Sequence, residues 1–132
     1  MTCRLSRVTL ITPFALGAIL AACSDSTSSK AKPNADVSIV AGAATKTFTA
    51  FQPDTFTVSL LAGGKVIWRN DDATTHTATA DDPADVTAGI DTGNLAPGDV
   101  DTLDFSGFTA PDTVKYHCGI HPGMVGAIAI AP

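Results

Sequence analysis

Half of the side chains that could bind a soft metal or act as a strong nucleophile fall in one short stretch. The 132-residue chain has three cysteines, three histidines and two methionines. His117, Cys118, His121 and Met124 all lie in the run Tyr116 to Met124 (YHCGIHPGM). Cys118, His121 and Met124 are each separated by two residues, and Gly119, Pro122 and Gly123 mark the stretch as a turn. A thiolate, an imidazole and a weak thioether suit copper cycling between Cu(I) and Cu(II), and a site of this kind needs one more histidine. Strand parity indicates which one. Val114, Tyr116 and Cys118 alternate with Lys115 and His117, so Cys118 faces inward and His117 outward, away from any metal that Cys118 holds. That leaves His121 from the loop and His76 from upstream. Taken singly, Cys118 reads as a small buried apolar residue, Met124 as core filler and His121 as a loop histidine. The joint spacing favours ligation.

Such a site needs a rigid frame, and the patterning indicates one. Phe56, Val58 and Leu60 alternate with polar residues, and Ile128 and Ile130 alternate with alanines. Further strands are expected at Val37 to Ala41, Lys46 to Phe51, Lys65 to Arg69, His76 to Ala80 and Val100 to Phe105. Turns are expected at Gly63 and Gly64, Asn70 to Asp72, Asp91 to Asn94, and Pro97 and Gly98. Roughly seven or eight short strands in about 100 residues point to an all-β, Greek-key antiparallel sandwich. His76 follows the strand ending at Trp68 and Arg69 and a polar turn, which would deliver it to the end of the sandwich that carries Cys118. Trp68 is expected in the core. Tyr116, two residues before a strand cysteine, is expected to tie a loop to the sandwich through its hydroxyl. The Asp-rich segment Asp81 to Asp91 lacks the spacing of an EF-hand and reads as a solvated loop. There is no internal repeat.

The amino-terminal part reads as an export signal. Arg4 and Arg7 precede an apolar run from Val8 to Ala22 that is interrupted by Thr9, Thr12 and Pro13, whereas a spanning helix needs roughly 20 mostly apolar residues. Leu20, Ala21, Ala22 and Cys23 resemble the lipobox of bacterial lipoproteins, which implies cleavage before Cys23, lipidation of Cys23 and anchoring by its acyl chains. The expected organisation is a signal peptide over 1–22, a lipidated cysteine with a polar tether over 23–36, and a copper domain over 37–132. Such a protein would be exported and held on the periplasmic or extracellular side of a membrane. Cys118 would then be the one thiol left without a lipid, and with no partner for a disulfide.

Composition narrows the function further. With 45% hydrophobic and 16% charged residues the chain can bury a core. Its net charge of −5, with every acidic residue an aspartate, argues against a nucleic-acid partner. Losing Arg4 and Arg7 with the signal would move that charge to −7.

The stretch 116–124, followed by Val125 to Ile128, resembles the ending of the cupredoxins, particularly the plastocyanin and amicyanin group. FQPDTFTV (51–58), GGKVIWRND (63–71) with His76, and GIDTGNLAPGD (89–99) are similar to the rest of that domain. The resemblance implies one type 1 copper ion bound by His76, Cys118, His121 and axial Met124. It implies a monomeric carrier, not an enzyme, that shuttles single electrons between redox proteins such as a c-type cytochrome or the copper domain of a reductase or oxidase. His121, flanked by Ile120, Pro122 and Gly123, would be the electron port. Copper trafficking or storage is the alternative use of the same ligands. Many relatives have an Asn after the first histidine ligand; Thr77 stands there, and its hydroxyl and backbone amide are the groups available to replace the tie between the ligand loops.

Overall fold

The computed structural model describes residues 32–132; the expected signal at 1–22 and the expected lipidation site at Cys23 lie outside the described residues. In chain order the elements are β1 (Val37–Ile39), a 3-10 turn (Ala43–Thr45), β2 (Phe51–Gln52), β3 (Thr55–Ser59), β4 (Lys65–Asn70), β5 (Thr79–Ala80), α1 (Pro83–Thr87), β6 (Val100–Asp104), β7 (Asp112–His117) and β8 (Val125–Ala131). Alternation builds the strands. Val66, Trp68 and Asn70 are buried on β4; Val114 and Tyr116 are buried on β7, and Cys118, just past the strand, continues that row.

The strands form two four-stranded sheets, ordered β2-β1-β4-β6 and β3-β8-β7-β5. The all-β sandwich is as expected, but both sheets are mixed. β1 runs parallel to β4 and β3 parallel to β8, while β1 with β2, β4 with β6, β5 with β7 and β7 with β8 are antiparallel. Two expected strands are much shorter than the patterning indicated. Gly42, at φ 73°, turns the chain into the 3-10 segment, so only Phe51 and Gln52 of the stretch after it pair as β2. Between His76 and Ala80 the main chain bonds to the segment 90–95, and only Thr79 and Ala80 join β7. The Asp-rich segment holds the short helix α1, which Pro83 can start and Asp82 caps by accepting the Ala84 amide at 2.8 Å.

The core sits between the sheets. Trp68 lies 5.6 Å edge-on to Tyr116 and 6.3 Å from Phe105, and Phe51 meets Tyr116 edge-on at 4.8 Å. Burying one such ring contributes about 1.5–3 kcal/mol. Tyr116 does not play the loop-tying role expected of it: its hydroxyl is buried beside the Trp68 side chain, and among the described residues neither it nor the Trp68 indole N–H makes a well-formed hydrogen bond. Its cross-strand neighbour is Gly126, and the ring lies flat against that glycine. A Cβ there would fall 2.5 Å from both Cζ and the hydroxyl oxygen. The ring is thus directed across β8 into the core, and burial pushes its hydroxyl pKa upward.

Asp71 fastens the first sheet at the end nearest the turn to His76. Its amide donates to the Ile39 carbonyl at 2.8 Å, and its carboxylate accepts from Arg69 Nε at 2.6 Å and Nη2 at 2.8 Å, from Ser38 Oγ on β1, and from Lys32. Asp36 is bonded to Ile67 both ways at 2.9 Å, so the residues just ahead of β1 pack along β4.

Two outcomes follow for unfolding measurements. Tyr116→Phe removes an unpaired buried hydroxyl and is expected to leave stability unchanged or raise it, whereas Gly126→Ala forces the ring aside and costs about 1–3 kcal/mol. Arg69 first, then Lys32 and Ser38, hold the Asp71 carboxyl well below the ordinary carboxylate range. Its contribution is therefore full above about pH 4 and lost as pH falls below that value. Asp71→Asn is expected to lower stability at pH 7 and to flatten the acid side of the stability profile; an unchanged acid profile would contradict this.

Candidate metal centre

The site lies where the turn after β4, from the first sheet, meets the loop after β7, from the second. Asn70, fully buried, organises the first of these. Its side-chain amide donates to the Thr74 carbonyl at 2.7 Å and the Leu95 carbonyl at 2.9 Å, and its oxygen accepts the Asp72 amide at 2.9 Å. His76 then exchanges both main-chain bonds with Leu95, at 3.1 and 2.8 Å. The imidazole is fully buried, and its Nε2 lies 2.8 Å from Asp72 Oδ2. Hydrogen bonding to His76 first, and to the Gly42 amide second, holds the Asp72 carboxyl well below its usual range.

The second segment is a closed loop. The Cys118 amide donates to the Met124 carbonyl at 3.0 Å and the Met124 amide to the His121 carbonyl at 3.4 Å. Gly123 permits the turn between them, at φ 95°. Cys118 and Met124 are buried and His121 is partly exposed. Thr77 joins the two segments in the way its position suggested. Its amide donates to Cys118 Sγ at 3.4 Å, and its hydroxyl oxygen accepts the Gly119 amide at 2.8 Å.

His76, Cys118 and His121 are brought together as expected. His76 Nδ1 and His121 Nδ1 are 3.0 Å apart, and each is 3.7 Å from Cys118 Sγ. A triangle with these sides has a centre about 2.0 Å from every corner, within the range of about 2.0–2.3 Å for bonds from imidazole and thiolate to a first-row metal. The donor set therefore fits a single soft or borderline ion, and among the described residues it is the one place where three His, Cys or carboxylate side chains converge closely enough to share a metal. His117 faces away, as its parity implied, with Nδ1 2.6 Å from Asp81 Oδ1. Asn70 and Asp72 escaped the sequence reading, which took them only as turn formers. The need of a metal-binding imidazole for a partner on its other nitrogen is the signal that points to a nearby carboxylate.

No protein-family model matches this sequence, and no curated protein matches it. Solved structures do. A purple cupredoxin from Nitrosopumilus maritimus is 24% identical over 74% of this chain and all of its own, with a TM-score of 0.59. A mutant plastocyanin of fern is 22% identical over 71% of this chain and 97% of its own, with a TM-score of 0.52. A Cu-containing nitrite reductase from Thermus scotoductus is 22% identical over 76% of this chain but only 23% of its own length, with a TM-score of 0.53. The fold is that of the cupredoxins.

The double link through Thr77 can be tested in the metal-free protein. Thr77→Val takes the acceptor from the part-buried Gly119 amide bond and is expected to cost about 0.5–1.5 kcal/mol in denaturant unfolding, while Thr77→Ser stays close to the parent. Equal loss in both variants would show that the hydroxyl is not the group that matters.

Proposed function

We propose that this chain is a type 1 copper protein that carries single electrons between redox partners. His76, Cys118 and His121 would hold the ion and Met124 would supply the weak axial thioether. The observation that carries the reading is the convergence of two imidazole Nδ1 atoms and one thiolate sulfur at bonding separations from a common point. Copper bound there supplies a one-electron couple between Cu(I) and Cu(II).

The protein's own groups serve that use in separate ways. The Thr77 amide donates to Sγ and draws electron density from the sulfur, which is one means by which a protein tunes such a site. The Asn70 and Leu95 bonds and the closed 118–124 loop limit movement of the donors when the charge of the ion changes. His121 is the partly exposed member of the set, beside the exposed Ile120, and so is the natural place for an electron to enter and leave. The net charge of −7 left once Arg4 and Arg7 go with the signal favours a basic docking surface, such as that of a c-type cytochrome or the copper domain of a reductase or oxidase. Export and attachment to the outer side of a membrane through a lipidated Cys23 complete the proposal, with the protein acting as a monomer and not as an enzyme.

Adding Cu(II) is expected to give one equivalent of bound metal and an intense visible thiolate-to-copper absorption. Cys118→Ser should abolish that absorption, and a colourless parent protein would sink the proposal. Mixing the reduced holoprotein with an oxidised cytochrome then separates the two uses of the ligands. Electron exchange with copper retained supports a carrier, whereas transfer of copper itself to an apo-acceptor would mark a protein of trafficking or storage.

A further inference from the structure

Asp72 has no place among the expected ligands, yet its carboxylate makes four polar contacts and one of them is to a ligand imidazole. Its Oδ1 accepts the Gly42 and Ala73 amides, both at 2.8 Å. Its Oδ2 lies 2.8 Å from His76 Nε2 and accepts the Thr74 hydroxyl at 3.1 Å. Two backbone amides can only donate, so Oδ1 accepts both; with the carboxylate ionised, the contact at Oδ2 places the proton of His76 on Nε2, and the Thr74 hydroxyl, also 3.0 Å from that nitrogen, sits beside this bond and donates to Oδ2. His76 Nδ1 is left with its lone pair facing Cys118 and His121. The 3.0 Å contact between the two Nδ1 atoms is then donated by His121 in the metal-free protein. The two imidazoles differ sharply in support: the hydrogen-bonding contacts of the His121 ring among the described residues are with Cys118 and His76 alone.

We propose that Asp72 is the positioning residue of the copper centre, fixing the tautomer and direction of His76 and lowering the reduction potential by making that imidazole a stronger donor. The inference rests on the copper reading above. A carboxylate hydrogen-bonded to a ligating histidine raises its basicity, and the more highly charged Cu(II) gains more from a basic ligand than Cu(I) does. Gly42 has a part in this, since its amide orients Oδ1 from the loop after β1 and so ties the first sheet to the metal ligand.

Nitrogen-15 NMR of the metal-free protein tests the first half. The His76 signals should show Nε2 protonated and Nδ1 bare, and a predominantly Nδ1-protonated ring would overturn the inference. The potential tests the second half. Asp72→Asn is expected to weaken Cu(II) binding about 10–100-fold and Cu(I) binding by less, and each tenfold of difference raises the potential by about 59 mV. Equal losses for the two ions, with no change in potential, would show a merely structural carboxylate and overturn the inference. Thr74→Val gives a second variant on an exposed residue. It removes the hydroxyl that lies 3.1 Å from Oδ2 and 3.0 Å from Nε2, leaves these two atoms to each other and should move the potential downward, the opposite direction. If Asp72→Asn does not fold, this variant decides: a lower potential supports the inference and an unchanged one overturns it. A parent protein that gives no copper-thiolate absorption removes the copper reading, while the tautomer still reports whether Asp72 holds His76.

Discussion

Everything at the metal centre depends on Thr77 bonding the two ligand segments together. The turn after β4 and the loop after β7 approach from different sheets, and the short pairing of β5 with β7 stops at Thr79 and His117, just before the donors on either side. Thr77 supplies two bonds across the gap, from its amide to the Cys118 sulfur and from the Gly119 amide to its hydroxyl. One residue thereby sets both where the thiolate sits relative to His76 and how much of its charge is drawn off by a backbone donor. A threonine can do this because its short side chain reaches a neighbouring amide without leaving room for water between them.

The support widens outward from that link. Asn70 closes the turn onto Leu95, and Leu95 in turn pairs with the His76 main chain, so the histidine is held by its backbone as well as by its ring. Asp71 and Asp72 are neighbours with different loads. Asp71 clamps β4 to β1 through Arg69 and Ser38, and Asp72 joins Gly42 to the His76 imidazole. The first sheet and the donor set are thus joined by consecutive carboxylates. Behind them the rings of Trp68, Tyr116, Phe51 and Phe105 fill the space between the sheets, with Gly126 making room for Tyr116. Among the described residues this core leaves two buried polar atoms without a well-formed hydrogen bond, the Tyr116 hydroxyl and the Trp68 indole nitrogen, whose side chains lie against each other.

The strong alternation on β3, β4, β7 and β8 made the sandwich legible in the sequence, and the parity of Cys118 against His117 separated a buried thiol from a surface imidazole. His76 was legible because only three histidines exist and one of them faces outward. What stayed hidden depends on contacts that periodicity does not encode. The parallel pairings of β1 with β4 and β3 with β8 join strands distant in the chain. The fate of 46–50 was decided by the left-handed Gly42, and that of 76–80 by bonds to the segment 90–95. Tyr116 carries the spacing of a loop tie, but the glycine opposite it admits the ring to the core instead. Asn70 and Asp72 looked like ordinary turn residues because their partners, Leu95 and Gly42, lie some 25 and 30 positions away.

X-ray absorption at the copper edge of the loaded protein tests the central claim most directly. One short sulfur neighbour and two nitrogen neighbours is the expected shell, with the sulfur lost in Cys118→Ser. A shell of nitrogen and oxygen alone, with no short sulfur, would contradict a centre built on His76, Cys118 and His121.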